Sequence, residues 1–512
     1  MCHEGGKMRR AVVLGISGLN PELVQRWIGE LPILKKMREK GAWGRLESTI
    51  PPLSPHAWIS SLSGRNAGAF GVWGKWYRIT HSYTLDEKVG SEVIDARIRP
   101  LYRILSKLGQ RVGAVNLPWT DPVPRIPGGF CVGGSALGRG SVPRTWPKEF
   151  ANDVKKVVSE YVEETPSLGG QRSAIDKTTL LTEIKRMDEQ RFTLVKYLVQ
   201  EKLCDMVMAV IDGIEAVSSL FLRDADSSHP FHDPKSRDQK TLREYYRFID
   251  KRVGEIKSIL DDDTVLCLFS ISAVQRLEGI INLNEWLIEK GYLSLKEYPK
   301  RPTPLEEAHV DWSETKAWAM GETGQVYINL KGKEKEGAVG LEEYGTVLDQ
   351  LIKDLEDIAT VKGKPVPAEA FRGDDLYFGS FVEYGPDLLL YIDGGRWWTD
   401  QRVGFGKGEI INTEGVKEET REGLGRYGYI CMSGSDFPIA GELKPVSVLD
   451  IAPTIIDILN LRPAYNTIDY EMEGYSMLLA IRDAAEEEKP GEGEEKESEE
   501  DKVRSRLEAL GY

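Results

Sequence analysis

The chain has 512 residues, 41% hydrophobic and 29% charged, with a formal net charge of −14. This balance describes a soluble globular protein with a large core. The negative charge excludes nucleic acid as a main partner, because gripping a phosphate backbone takes clustered Lys and Arg. No run approaches the roughly 20 apolar residues that span a bilayer, so no membrane span is expected.

The chain opens with a basic segment, Met1–Arg10, followed by the apolar run Ala11–Ile16 (AVVLGI). That run is too short for a signal-peptide core and reads as a buried parallel strand. A helix follows, with Pro21 in its first turn and Leu23 and Trp27 at helical spacing. Arg111–Asn116 (RVGAVN), Cys204–Ile211 (CDMVMAVI) and Thr264–Phe269 (TVLCLF) predict three further buried strands. Helical patterns lie between them, so the fold class is α/β with a mostly parallel sheet flanked by helices. In such sheets ligands and chemistry gather at the carboxyl ends of the strands. Five singly placed cysteines (Cys2, Cys131, Cys204, Cys267, Cys431) without a CxxC pair point to reduced thiols and a cytoplasmic location.

Two insertions interrupt this core, which covers 8–296 and 394–483. Residues 144–203 are helical and charged and predict a helical insertion at the sheet's edge. Residues 297–393 predict a small β-α-β insertion, with a strand at Gln325–Leu330, a helix at Leu341–Ile358 and a strand at Asp387–Ile392. Ser447–Asn460 returns to the core as a helix. Residues 484–501 (EEEKPGEGEEKESEED within them) are acidic and of low complexity, a composition that cannot bury apolar surface and predicts a disordered linker. Residues 502–512 regain a helical pattern.

Proline-rich Pro51-Pro-Leu-Ser54-Pro-His-Ala-Trp58 is the first stretch to suggest chemistry. Ser54 before Pro55 reads as a helix N-cap, where a hydroxyl lies beside free backbone N–H groups that suit a phosphate. A plain structural cap is the alternative. Three blocks surround it: Gly15-Ile-Ser-Gly18, the segment from Leu31 to Trp58 (LPILKKMREKGAWGRLESTIPPLSPHAW) and Ser63-Gly-Arg-Asn-Ala-Gly68. With Asn116–Thr120, Tyr245–Gly254, Asn282–Leu293, Gln325–Gly332, Tyr384–Leu390 and Leu449–Leu459, they resemble the type I phosphodiesterase/nucleotide pyrophosphatase family of the alkaline phosphatase superfamily, over almost the full chain.

The resemblance implies an alkaline-phosphatase-like fold. It also implies a site with two divalent metals, such as zinc or manganese, and a Thr or Ser nucleophile. Two dications bridge the attacking and leaving oxygens and offset phosphoryl charge. Here the pattern breaks. The family's Gly-x-Asp-Gly at the end of the first strand is replaced with Ser17, whereas the nucleophile position is kept as Ser54. The family's Asp-x-x-x-His falls on Glu215 and Ser219, its Ser-Asp-His-Gly on Ser270-Ile271-Ser272-Ala273, and its last Gly-x-His on Gly423-Leu424-Gly425. Ser17, Ser54, Glu215 and Ser272 are thus the candidate ligand-binding positions, Ser54 the catalytic candidate, and no metal is expected.

None of the six histidines (His3, His56, His81, His229, His232, His309) falls on a ligand position. His229-Pro-Phe-His232-Asp233 reads as a solvated loop rather than a substitute metal site. Gly133–Gly138 reads as a glycine turn, and Trp397-Trp398 as a partly buried pair. The leading expectation is an inactive phosphodiesterase-like protein that binds a phosphorylated small molecule or a protein partner. An active hydrolase with a relocated metal site and a scaffold acting through the acidic tail are the alternatives.

Overall fold

The computed structural model describes residues 9–481 except 75, 79–81, 89–92, 95–96, 135–142, 163–175, 322, 362, 419–420, 435–440 and 479–480. The expected linker 484–501, the segment 502–512 and most of the Gly133–Gly138 turn fall outside the described residues.

Nine strands form the main sheet. In chain order they are β1 (Arg10–Ile16), β2 (Ala42–Glu47), β3 (Val112–Leu117), β4 (Phe130–Gly133), β5 (Thr145–Trp146), β6 (Met206–Ile211), β7 (Thr264–Phe269), β8 (Tyr427–Ser433) and β9 (Gly441–Ser447). Their order across the sheet is β9-β2-β8-β7-β1-β6-β3-β4-β5. From β7 to β4 all pairings are parallel, whereas β8 runs antiparallel to both its neighbours and β5 antiparallel to β4. The central strands read as unbroken apolar runs because both faces are covered. In β6, Met206, Met208 and Val210 enter one core while Val207, Ala209 and Ile211 enter the other. β7 divides the same way, with Val265, Cys267 and Phe269 opposite Leu266 and Leu268.

The helices that cover these faces are α1 (Pro21–Trp27), α2 (Pro32–Glu39), α3 (His56–Ser63), α4 (Lys177–Gln200), α5 (Gly213–Ala225), α6 (Thr241–Lys257) and α7 (Ile451–Ile458). α1 starts as expected: Asn20 Oδ1 accepts from the N–H groups of Glu22 and Leu23, and Pro21 takes the first helical position, where no N–H is missed. α4 departs from expectation. It is not an addition at the sheet's edge but packs on β3 and β6. Its residues Ile184, Met187, Phe192, Leu194, Val195 and Leu198 share one core with Val207 and Ile211. A helix with that apolar stripe has to cover sheet, and this face is where the stripe is buried.

The second unit is also larger than a β-α-β insertion over 297–393. Strands Ala317–Ala319, Gln325–Ile328, Leu388–Ile392 and Ala368–Arg372 form an antiparallel sheet in that order, backed by the helix Leu341–Glu356. Its core draws in Ile281, Trp286 and Leu287 from before the expected boundary and Trp397 and Val403 from beyond it. Among the described residues no helix is long and apolar enough to cross a membrane.

β1 lies between β6 and β7, both parallel to it, so the loops that follow these three strands share one edge of the sheet. Ligands and chemistry in an open α/β sheet gather at this carboxyl edge. Under it, Trp58 of α3 is 1% exposed, meets Phe269 edge to face at 5.2 Å, and lies so close that a Cβ on Gly15 would come within 2.5 Å of the indole. Trp58→Ala is expected to lower the unfolding free energy by about 3–5 kcal/mol, the usual loss for a large buried aromatic. Urea denaturation measures it, and a change below about 1 kcal/mol would show that this side chain does not set the spacing of β1 on α3.

Candidate functional site

The residue after β1 is Ser17, and the residue after β6 is Asp212. Parallel pairing of Ile16 with Ile211 brings them together, and Ser17 Oγ donates to Asp212 Oδ1 at 2.8 Å. Asp212 occupies the N-cap position of α5, where an aspartate normally accepts from backbone N–H groups, but it makes no such side-chain bond. Its second oxygen instead accepts from Asn116 Nδ2 and Arg191 Nη1, each at 2.9 Å. Asn116, near the end of β3, has φ 57°, a left-handed backbone that Asn tolerates better than most residues. Its Nδ2 also donates to the Val210 carbonyl at 2.9 Å.

Behind Asp212 the group continues inward. Arg191 of α4 is 1% exposed and lies 3.7 Å from Asp188 one turn earlier; Asp188 accepts from the Tyr245 hydroxyl of α6 at 2.8 Å. Gly213 permits this approach, since a Cβ there would meet Asp188 Oδ2 and the Tyr245 hydroxyl at 2.0 Å. Burial works against the Arg191 charge, yet the Asp212 carboxylate, helped by Tyr161 and Asp188, more than offsets it and holds the guanidinium above its ordinary range. Burial pushes the Asp188 carboxyl up to about 7 against the pull of Arg191 and the Tyr245 hydroxyl.

On the other side of β1, Ser270, Ile271 and Ser272 follow β7 and are all buried. Ser270 Oγ donates to the Ser272 carbonyl at 2.6 Å, and Ala273 bridges to Gly18 and pairs with Gly425. Three of the positions that the resemblance singles out, Ser17, Ser272 and Gly425, are therefore brought together around one crevice. Glu215 is exposed on α5, and Ser219 Oγ donates to its carbonyl at 3.0 Å. The acid beside Ser17 is Asp212, three positions earlier. Counted from Asp212, the family's Asp-x-x-x-His spacing ends on buried Ala216. The missed signal was the Asp directly after the apolar run of β6.

Ser54 does not cap α3. Pro55 takes the N-cap position and the helix begins at His56, leaving Ser54 half-buried in the preceding turn. Its neighbour Leu53 packs with Trp398 and Leu424, next to Gly425. Among the described residues no hydrogen bond joins Ser54 to the Asp212 group. His56, two residues on, is fully buried with Nε2 2.8 Å from the Pro51 carbonyl, and burial lowers its pKa to about 4.

The expected solvated loop at His229–Asp233 is partly wrong. His229 is 4% exposed, its Nδ1 accepts from the Phe231 N–H, and its Nε2 faces Glu422 Oε2 at 3.2 Å. Glu422 also pairs with Arg223 of α5 at 3.2 Å and accepts from the Leu277 N–H. His232 Nδ1 lies 2.9 Å from the Arg223 carbonyl, and Asp233 accepts from the Lys235 N–H. These groups clasp the end of α5 and do not converge on a metal. Trp397 and Trp398 are each 7% exposed, so the pair is buried, with Trp398 Nε1 donating to the Glu422 carbonyl.

Two divalent metals do not fit this donor set. A ligand carboxylate must turn lone pairs to the metal, but Asp212 accepts three protein hydrogen bonds, one from a guanidinium. The other stations are hydroxyls or lack a donor side chain. Among the described residues no three His, Cys, Asp or Glu side chains are grouped to hold a metal.

Arg191→Met would leave Asp212 and Asp188 without their cation and is expected to cost about 3–5 kcal/mol of stability in urea unfolding. A loss under about 1 kcal/mol would mean the guanidinium does not neutralise them. Asp188 also predicts a pH dependence. The folded chain keeps its proton to about 7, whereas an unfolded Asp releases it near about 4. The folded state therefore binds more protons in that window, and stability falls as pH rises through it. Relative to Asp188→Asn, the thermal midpoint of the natural protein should drop from pH 4 to pH 7. Parallel curves would remove the buried proton from Asp188.

A sequence model of the type I phosphodiesterase/nucleotide pyrophosphatase family matches residues 11–417. No curated protein matches the sequence. Among solved structures, murine ectonucleotide pyrophosphatase/phosphodiesterase 5 is similar at 9% identity and TM-score 0.47, covering 93% of this chain and 100% of that one. An inactivated form of the murine protein in complex with AMP matches at 9% identity and TM-score 0.47, covering 88% of this chain and 95% of the other. The human protein matches over the same shares at 10% identity and TM-score 0.47. With the family match spanning residues 11–417, most of the chain, the chain belongs to the type I phosphodiesterase/nucleotide pyrophosphatase family.

Proposed function

We propose that this chain is a member of the family without two-metal phosphoryl transfer, and that it works by binding a phosphorylated small molecule in the crevice at the end of β1. The observation that carries the reading is the Asp212 carboxylate, neutralised by Arg191 and filled by three donors where a metal ligand would be needed. The nucleophile position supports it. Ser54 has no activating partner among the Asp212 group, and the nearest imidazole in sequence, His56, is sealed in the core. A serine without base or metal remains a weak nucleophile. Asp212 stays 28% exposed, so the network has a polar face open to a ligand's hydroxyl or amide donors.

A cytoplasmic setting is part of the proposal. It is supported by Cys131, Cys204, Cys267 and Cys431, buried cysteines that form no disulfide among the described residues, the usual state in a reducing compartment.

Elemental analysis of the full chain, equilibrated with zinc and manganese and then desalted, tests the reading. Near zero metal per chain, together with no hydrolysis of bis(p-nitrophenyl) phosphate above buffer, is the expected result. Close to two ions per chain, or hydrolysis abolished by Ser54→Ala, would overturn it and restore the active hydrolase.

A further inference from the structure

Phe378 is 58% exposed and Tyr475 80%, an unusual display for large apolar side chains, and one turn holds both segments. Residues 64–69, directly after α3, form that turn. Asn66 Nδ2 donates to the Phe378 carbonyl at 2.9 Å and to Glu473 Oε2 at 2.7 Å, and Asn66 Oδ1 accepts from the Phe378 N–H at 3.2 Å. The Glu473 N–H donates to the Gly64 carbonyl at 2.7 Å. Half-buried Met472 and Phe381 extend the apolar surface between the two rings and the core.

The rim of this face is acidic. Asp374, Asp375 and Glu383 are exposed on the Phe378 segment, and Asp469 and Glu471 on the Tyr475 segment. The nearby arginines are engaged: Arg65 pairs with Glu473 at 2.9 Å, Arg97 Nη1 donates to the Phe70 carbonyl at 2.7 Å, and Arg99 Nη1 donates to the Asp469 carbonyl at 2.7 Å. Lys331 shares a cavity wall with Asp374 and Glu383. Even with these four cations counted, carboxylates outnumber positive groups around the face. Its occupant is therefore an apolar surface flanked by positive charge.

The chain itself carries such a segment. Ile481, a few residues past Tyr475, is buried in the core with Tyr465 and Met477. Residues 482–501 lead from it to 502–512 (KVRSRLEALGY). There Val503, Leu507 and Leu510 fall at i, i+4 and i+7, one stripe of a helix, with Lys502, Arg504 and Arg506 on its flanks. A helix this short is marginal alone in water, so its stripe needs a surface. As a coil the linker spans roughly 25 Å, which holds the segment near the face at about millimolar effective concentration. The linker's own acids have the sign of the rim and are repelled by it, so only the basic segment fits.

We infer that residues 502–512 dock as an amphipathic helix on the face formed by Phe378 and Tyr475, with the Val503, Leu507 and Leu510 stripe on the rings and the basic flanks toward the carboxylate rim. The docking does not depend on what the crevice binds.

Hydrogen exchange of the full chain, followed by mass spectrometry, tests it. Amides of 502–512 are expected to exchange about tenfold more slowly than in the free peptide KVRSRLEALGY, the protection that a contact of about 0.1 mM gives at millimolar effective concentration. Phe378→Ser/Tyr475→Ser and Leu507→Asp/Leu510→Asp should each restore the rate of the peptide, whereas Leu203→Ser, at another exposed leucine, should keep the protection. Raising sodium chloride from 0.05 to 0.5 M should cut the protection at least about twofold, because exposed charges are screened. Exchange at the peptide's rate in the natural protein overturns the docking. Protection that survives Phe378→Ser/Tyr475→Ser places the segment elsewhere and overturns this face. Protection that falls on dilution belongs to a second copy and overturns docking within one chain.

Discussion

A guanidinium with 1% exposure is among the costliest groups a protein can bury, and Arg191 is buried at the centre of this one. It is tolerable only because Asp212 and Asp188 stand against it and because Asp212 is fixed in turn by Ser17 and Asn116. This places demands on four elements at once. α4 must lie on the sheet face to deliver Arg191, β3 must end with Asn116 in a left-handed turn, and β1 and β6 must hold their register to present Ser17 to Asp212. The positive charge beside the Asp212 carboxylate is therefore a side chain, which cannot act as a Lewis acid.

The far end of α5 has a second buried ionic clasp. Arg223 and His229 both meet Glu422, whose side chain is 0% exposed, while Arg223 also donates to the carbonyls of Val416 and Lys417. The helix is therefore pinned to the sheet at its start and to the segment before β8 at its end. The crevice, with Ser17 and Asp212, lies at the first of these anchors. Rigid walls lower the ordering cost of binding.

Several parts of this arrangement were legible in residues alone. AVVLGI, MVMAVI and TVLCLF could only be strands covered on both faces, and Asn20-Pro21 marked the start of α1. The blocks around Ser17 and Ser54 carried the resemblance to the family whose model matches residues 11–417. Other parts were not. Glu215 was read in place of Asp212 because an acid at either position satisfies a short pattern, and only strand register decides which one meets Ser17. His229 read as solvent-facing because its partner Glu422 lies 193 residues away. Ser54 before Pro55 had the composition of a cap, but the chain enters α3 one residue later.

By itself, the sequence determined the fold class and the strand cores, because these follow from local periodicity. The tertiary structure alone decided what surrounds Asp212. Asn116, Arg191 and Asp212 come from separate elements, and a hydrogen bond or ion pair depends on distances of a few ångströms that chain spacing does not encode.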